Sequence, residues 1–324
     1  SYPLIAGGKV FVTVQITGGT ELLALDQATG AKVWGPILVA GTGNAAYENG
    51  TLFVLYTPSL GNGGILQAFD AGTGASKWSA MLPGQYMLDA APTAANGMVY
   101  VTESGGGVTL YAYDQRNGNL VWNQLLMAGD NCAPAVTADG VYVTYPQIAA
   151  SFDPLTGTKN WMKLDGGDGG GGAIPVVANG LMYAPNGFGT YNGQVLDART
   201  GILKGTYAAD MPPAIGAQVG CFLQGGTLRG LDLATNTILW SFAGDGQLGT
   251  SPILVNNFVF IGSASGTVFG LDLTTGAQLW QQALGAPIPY GAGWGRSIPL
   301  SGLSAGNGIL VVPAGSTLTA FALQ

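Results

Sequence analysis

The sequence predicts an all-β protein: an eight-bladed β-propeller of four-stranded antiparallel blades, in which the last blade has three strands. Three observations support this fold class. An Ala-x-Asp-x-x-x-Gly-x-x-x-Trp motif recurs seven times, turn pairs of the Asn-Gly type recur eight times, and no segment has convincing helical periodicity. Four short strands in a repeat of about 40 residues are typical of a propeller blade. We expect one domain over residues 1–324, because a single ring uses the whole chain.

The aspartate motif marks the turn between the third and fourth strands of each blade, C and D. It is complete at Ala24, Asp26, Gly30 and Trp34, and successive motif aspartates are 44, 44, 39, 44, 35 and 40 residues apart. An aspartate that opens a turn accepts hydrogen bonds from backbone N–H groups two and three residues later. We therefore interpret the motif aspartates as turn residues rather than as catalytic or metal-binding groups. They are Asp26, Asp70, Asp114, Asp153, Asp197, Asp232 and Asp272.

The turn pairs mark the hairpin between the first two strands of each blade, A and B. Asn-Gly and Asp-Gly favour the positive φ angles of type I′ turns. The eighth unit has Ala322 where the aspartate would be, so we expect strand C, about Thr317 to Ala322, to be the outermost strand of blade 8. The pairs are Gly7-Gly8, Asn49-Gly50, Asn96-Gly97, Asp139-Gly140, Asn179-Gly180, Val219-Gly220, Asn256-Asn257 and Asn307-Gly308.

The motif tryptophans lie on the outer strand D, and we expect them to pack between blades. Each offers a large flat surface and one N–H group that needs a hydrogen-bond acceptor. The fifth repeat has Gly205 instead of tryptophan, which predicts weaker packing there.

Composition excludes several classes of function. The chain has no histidine, so it cannot form a Ser-His-Asp or Cys-His centre or a histidine-ligated metal site. Only 8% of the residues are charged and the net charge is −7, so no basic surface for nucleic acid is expected. No apolar run reaches the roughly 18 residues of a membrane-spanning helix. We expect a monomer in the periplasm or outside the cell, with any signal peptide already removed.

The motif residues Ala24, Asp26, Gly30 and Trp34 resemble the quinoprotein (PQQ-like) repeat family. That family includes the pyrroloquinoline-quinone (PQQ) dehydrogenases and the propeller lipoprotein of the outer-membrane β-barrel assembly machinery. The enzymes would need an adjacent cysteine pair and calcium ligands, whereas Cys132 is followed by alanine and Cys221 by phenylalanine. We therefore predict no catalytic residue, no metal site and no cofactor, with PQQ and Ca²⁺ as the alternative.

We predict a non-enzymatic scaffold of the bacterial envelope or the secreted space, which binds protein partners through one propeller face or the edge of blade 8. The alternative for that edge is that N-terminal residues of the full precursor pair with it. The alternatives are a PQQ- and calcium-dependent dehydrogenase and a carbohydrate- or cation-binding propeller with an acidic mouth. Binding residues are expected in the loops from strand D to strand A of the next blade, since long loops on a rigid scaffold often bind ligands. The candidates are Asp89, Asp130, Asp168, Asp210, Asp245, Tyr290, Trp294 and Arg296.

Overall fold

The protein is an eight-bladed β-propeller, as the sequence predicts. Seven sheets have four strands and the last has three, with each strand beside its neighbour in sequence. The computed structural model describes residues 2–58, 63–83, 90–102, 109–126, 132–145, 148–164, 174–185, 192–289 and 302–322. Within these residues, no helix is long and apolar enough to cross a membrane.

The first four blades contain sixteen strands in chain order. They are β1 (Leu4–Ala6), β2 (Lys9–Ile16), β3 (Gly19–Asp26) and β4 (Lys32–Ala40) in blade 1; β5 (Thr42–Glu48), β6 (Thr51–Thr57), β7 (Gly64–Asp70) and β8 (Ser76–Leu82) in blade 2; β9 (Thr93–Ala95), β10 (Met98–Thr102), β11 (Thr109–Asp114) and β12 (Leu120–Leu125) in blade 3; and β13 (Ala135–Val136), β14 (Val141–Tyr145), β15 (Ile148–Phe152) and β16 (Lys159–Leu164) in blade 4.

The remaining blades contain fifteen strands. They are β17 (Val176–Ala178), β18 (Leu181–Ala184), β19 (Asn192–Asp197) and β20 (Leu203–Ala208) in blade 5; β21 (Ala214–Ile215), β22 (Val219–Gln224), β23 (Thr227–Asp232) and β24 (Thr237–Phe242) in blade 6; β25 (Ile253–Val255), β26 (Phe258–Gly262), β27 (Thr267–Asp272) and β28 (Gln278–Ala283) in blade 7; and β29 (Ser304–Gly306), β30 (Ile309–Ala314) and β31 (Thr317–Ala322) in blade 8.

The chain forms two compact units. One comprises Ala6–Thr206 in blades 1 to 5, and the other comprises blades 6 to 8 from Tyr207 onward together with Tyr2–Ile5. In each unit the apolar core lies between successive blades. Tyr100 and Leu110 of blade 3 pack with Phe152 of blade 4, for example, in one cluster of buried side chains. The middle strands are therefore largely buried and apolar, whereas the fourth strands are exposed and carry large apolar side chains on their surface, such as Leu38, Met81 and Leu125.

The register between third and fourth strands explains why the motif begins with a small residue. A register shift between Ala112 and Tyr113 leaves Ala112 opposite Trp122, and the same shift leaves Gly270 opposite Trp280. A Cβ atom on Gly230, which pairs with Trp240, would lie 2.1 Å from the indole ring. The fourth strand thus lays its tryptophan over a residue that must be small.

Candidate functional site

The motif aspartates hold the turns between the third and fourth strands. Oδ1 of Asp26 accepts hydrogen bonds from the backbone N–H of Ala28 at 3.1 Å and of Thr29 at 2.8 Å, and from the Thr29 hydroxyl at 2.8 Å. In Asp114 the guanidinium of Arg116 takes the place of the threonine hydroxyl. The pattern of Asp26 repeats at Asp70, Asp153, Asp197, Asp232 and Asp272.

The same hydrogen bonds lower the pKa of all seven motif carboxyls. The side-chain hydrogen bond from Thr29 lowers the pKa of Asp26 most, and the backbone hydrogen bond from Thr275 lowers the pKa of Asp272 most. A general acid at neutral pH needs a raised pKa. These groups are therefore ionised at neutral pH while they hold the turns.

Five motif tryptophans form a hydrogen bond to the next blade. Each indole N–H donates to the backbone carbonyl of the residue that directly follows the next motif aspartate. In most of these pairs the ring is buried, with 8% or 9% of its surface exposed in Trp34, Trp122, Trp161 and Trp240. The pairs are Trp34 to Ala71 at 3.1 Å, and Trp78 to Gln115, Trp122 to Pro154, Trp161 to Ala198 and Trp240 to Leu273, all at 2.9 Å.

A glycine of the next blade lies against each of these five rings. The five glycines have φ between 69° and 75°, and an added Cβ would lie 2.5 to 3.0 Å from a ring atom. Both the backbone conformation and the available space therefore require glycine. The positions are Gly74, Gly118, Gly157, Gly201 and Gly276.

Two of the eight candidate binding residues lie in the described part of the chain, and both hold turns. Asp210 follows β20, and its Oδ2 accepts a hydrogen bond from the backbone N–H of Gly225 at 2.6 Å. Gly225 belongs to the turn between the second and third strands of blade 6. Asp210 thus fastens the incoming loop of blade 6 to that turn.

Asp245 does the same for blade 7 with side-chain donors. Its Oδ2 accepts hydrogen bonds from the hydroxyls of Ser263, at 2.6 Å, and Ser265, and its Oδ1 accepts one from the backbone N–H of Gln247 at 3.0 Å. Partial burial raises the pKa of Asp245, but the hydrogen bonds from the two serines and Gln247 more than offset this, so that its pKa is lowered. No described hydrogen-bond partner is common to Asp210 and Asp245.

The other candidates lie outside the described residues, and their role in binding stays a prediction. They are Asp89, Asp130, Asp168, Tyr290, Trp294 and Arg296.

A cavity of about 790 Å³ lies between blades 7 and 8, beside the last strand β31. Its walls include Phe258, Phe260 and Trp280 from blade 7 and Leu310 and Phe321 from blade 8. The sequence predicts the open edge of β31 but not this cavity. The sequence does contain a signal for this cavity, because the seventh repeat has a tryptophan whereas the eighth has no aspartate-glycine turn to cover that ring.

One family model matches most of the chain. The family is described as the outer membrane protein assembly factor BamB, and its model matches residues 18–201, 146–288 and 224–322. The chain belongs to this PQQ-like repeat family. No curated protein sequence matches the chain.

Solved structures similar to this family member come from proteins of different kinds. BamB from Moraxella catarrhalis has a TM-score of 0.70 and 17% identity, with 95% of each chain covered. The computationally designed Ika8 protein has a TM-score of 0.76 and 15% identity, covering 99% of this chain and 95% of that one. A europium-containing methanol dehydrogenase has a TM-score of 0.66 and 16% identity, covering 89% and 79%. At such identities the likeness establishes the fold, not the function.

Proposed function

We infer that the protein is a non-enzymatic scaffold that binds other proteins in the bacterial envelope or the secreted space. The observation that carries this inference is the open edge of blade 8. There β31 has no fourth strand beside it among the described residues, and it borders the cavity of about 790 Å³. Unpaired strand edges next to apolar grooves are surfaces on which proteins bind extended polypeptides.

Membership of the family named after an outer membrane protein assembly factor supports the envelope location. The loops with Asp89, Asp130, Asp168, Trp294 and Arg296 are a second proposed contact surface, together with Tyr290. Asp210 and Asp245 support the loops of this face by holding turns. We propose that they shape the face rather than contact the partner themselves.

A PQQ- and calcium-dependent dehydrogenase is the second candidate, since a methanol dehydrogenase shares the fold. The described residues do not fit that cofactor. Cys132 and Cys221 are free and buried in blades 4 and 6, and burial raises the pKa of each thiol to about 12. Such thiols are inert and cannot supply the adjacent pair that the resemblance calls for. Within the described ranges, no three acidic or cysteine side chains form a cluster that could hold a metal ion.

The test is site-specific photo-crosslinking in the bacterial envelope. A photoreactive residue in place of Thr317, on β31, should form a discrete adduct with a protein partner. The same residue in place of the exposed Leu155, in a C/D turn, serves as the matched control. The inference is supported if the purified partner forms a saturable complex with the purified protein and an adduct with Thr317 but not Leu155.

A dye-linked oxidation assay with added PQQ and Ca²⁺ tests the second candidate. We expect no turnover of alcohols or sugars above the rate without protein. Turnover that requires both PQQ and Ca²⁺ would move the protein to the enzyme class.

A further inference from the structure

The outer strands of the first four blades each expose a large apolar side chain close to the end of the strand. The exposed fraction of these residues is 64% to 77%. Each one pairs with the third-strand residue that lies three positions before the small motif residue, so the four hold one equivalent position in successive blades. The pairs are Leu38 with Glu21, Met81 with Ile65, Leu125 with Thr109 and Leu164 with Ile148. We call Leu38, Met81, Leu125 and Leu164 the apolar arc.

This position separates the first four blades from the next three. The residue directly before the tryptophan does not separate them, because it is exposed and apolar in blade 1, as Val33, and in blade 7, as Leu279. Singly scattered apolar residues on a surface need no explanation, whereas one position repeated over consecutive blades does. Three residues after the position of the motif tryptophan, blades 5 to 7 have Ala208, Ala243 and Ala283.

The arc lies at one end of the outer strands. Leu125 and Leu164 are the last residues of β12 and β16, and Met81 is the last but one of β8. Each outer strand begins at its C/D turn, so the arc is at the end remote from those turns. Since successive blades are related by rotation about the axis of a propeller, equivalent positions lie in a plane perpendicular to that axis. A flat surface that approaches along the axis therefore reaches all four side chains at once.

The spacing of the arc favours a lipid bilayer over a protein as its occupant. Packed sheets are about 10 Å apart and blades diverge outward, so the four side chains extend over at least about 30 Å. A stable protein interface buries a contiguous area of about 800 Å² on each partner, which four separated side chains do not provide. Apolar side chains can enter a bilayer one by one, and binding then increases with the apolar area inserted.

The charges around the arc favour uncharged lipid. Among the described residues, the charged residues beside or opposite an arc member are Lys163 and Glu21, which have opposite signs. Three other lysines of these strands, Lys32, Lys77 and Lys159, occupy the first two positions of β4, β8 and β16, at the remote end. The net charge of −7 opposes binding to anionic lipid.

We propose that the apolar arc binds the surface of a lipid bilayer with zwitterionic headgroups, with Leu38, Met81, Leu125 and Leu164 inserted among the lipids. This inference goes beyond the proposed scaffold function and does not require its protein partner.

The test is flotation of the whole protein with vesicles of phosphatidylcholine and phosphatidylethanolamine. A double variant, Met81→Ser with Leu125→Ser, should lower the partition coefficient about a hundredfold, or about tenfold for each side chain. The matched control is Leu155→Ser with Ile202→Ser. Leu155 and Ile202 are each 60% exposed and lie at the C/D turns of blades 4 and 5, so the control removes comparable apolar surface from the other end. It should leave the partition coefficient unchanged.

A second measurement locates the contact directly. Cys132 and Cys221 are buried, and burial raises the pKa of each thiol to about 12, so a polarity-sensitive dye will react with an introduced cysteine instead. On vesicles, the dye at Leu125→Cys should shift to the blue and be quenched by a quencher attached to the lipid. The dye at Leu155→Cys should do neither.

Four results would overturn the proposal. They are absence of partitioning onto zwitterionic vesicles, equal losses in the two double variants, binding that occurs only on anionic vesicles and disappears in high salt, and a dimer that Met81→Ser with Leu125→Ser dissociates. The third result would assign the contact to lysines, and the fourth would make a second copy the occupant. None of them affects the proposed scaffold function, because crosslinking at Thr317 reports on blade 8.

Discussion

Asp245 is a loop residue whose carboxylate accepts several hydrogen bonds that hold the structure of blade 7. It accepts hydrogen bonds from the hydroxyls of Ser263 and Ser265 and from the N–H of Gln247. The two serine hydroxyls fix the loop that enters blade 7 relative to the turn between β26 and β27, while the N–H of Gln247 closes a turn within the loop itself. Hydrogen bonds to charged groups are stronger than those between neutral groups, although exposure to water reduces the gain.

We predict that Asp245→Ala lowers the free energy of unfolding by about 1 kcal/mol, since three hydrogen bonds to a partly exposed carboxylate are lost. Asp139→Ala is the control, because Asp139 is exposed and its carboxylate holds no turn in the described structure. Urea denaturation measures both. Equal losses in the two variants would contradict the role given to Asp245.

At two glycine positions, the cost of the left-handed backbone can be measured separately from the cost of a steric clash with a neighbouring ring. Gly276 and Gly285 have φ of 69° and 74°. A Cβ on Gly276 would lie 2.5 Å from the ring of Trp240, whereas a Cβ on Gly285 would meet nothing within 4 Å.

We predict that Gly285→Ala costs about 1 kcal/mol through the left-handed backbone alone. Gly276→Ala should cost at least about 2 kcal/mol more, because the ring of Trp240 must also move. Thermal and urea denaturation of the two variants give the difference. If both variants lose the same stability, the contact with the tryptophan does not constrain Gly276.

The outer strand is the element that joins one blade to the next. Its tryptophan lies over a small residue of its own blade and donates a hydrogen bond to the turn of the following blade. Departures from the motif are grouped accordingly. The fifth repeat has Gly205 instead of the tryptophan, and it also has Val195 where the motif begins with a smaller residue in the other repeats. The sixth repeat, which follows it, has Asn236 at φ 56° where the other complete repeats have the motif glycine. Where no tryptophan ring has to be accommodated, the two positions that would contact it carry larger residues.

We predict that Trp240→Phe lowers the free energy of unfolding by about 2 kcal/mol, because the indole N–H bond to Leu273 is lost and the smaller ring leaves a gap against Gly276. Trp280→Phe is the matched variant on the next outer strand, and it should cost less than half as much. Comparing the two midpoints of urea unfolding checks this. A larger loss for Trp280 would mean that its N–H has an acceptor after all.

Across the whole molecule, charged residues are scarce, and many of the acidic ones hold turns. The net charge is −7, and seven of the 17 acidic residues are motif aspartates whose pKa is lowered by turn hydrogen bonds. Lys77 and Lys204 lie 3.7 Å from the motif aspartates of their blades, and such exposed ion pairs contribute little. The chain has no histidine to titrate near neutral pH.

The free energy of unfolding should therefore stay level between pH 8 and pH 5 and fall in acid. A lowered pKa in the folded state stabilises the fold above the unfolded pKa of 3.8, and this stabilisation is lost as the pH falls through the folded values. Urea titrations at a series of pH values measure the curve. Asp272→Asn, which keeps an acceptor oxygen but cannot ionise, should flatten the acid limb. A fall in stability between pH 8 and pH 5 would point to other groups.

The sequence predicts the fold well because its signals are local. The turn at Asp26 and the hairpin at Asn49-Gly50 each depend on residues within a few positions. The hydrogen bonds to Asp245 were not predictable in this way, because its serine donors are 18 and 20 residues away in sequence and come close to it only in the folded blade. Of the candidate site, only Asp210 and Asp245 are described, and the structure assigns both to turns.

The bonds from five tryptophans to the following blade have a consequence for the order in which blades become complete. Trp34 and Ala71 are 37 residues apart, and Trp240 and Leu273 are 33 apart. A blade that folds as soon as its own four strands are free therefore lacks the acceptor of its indole N–H until the next blade has also folded. During that interval its outer strand exposes an aromatic surface. We expect chaperones of the compartment in which the protein folds to recognise this surface until the successor blade covers it.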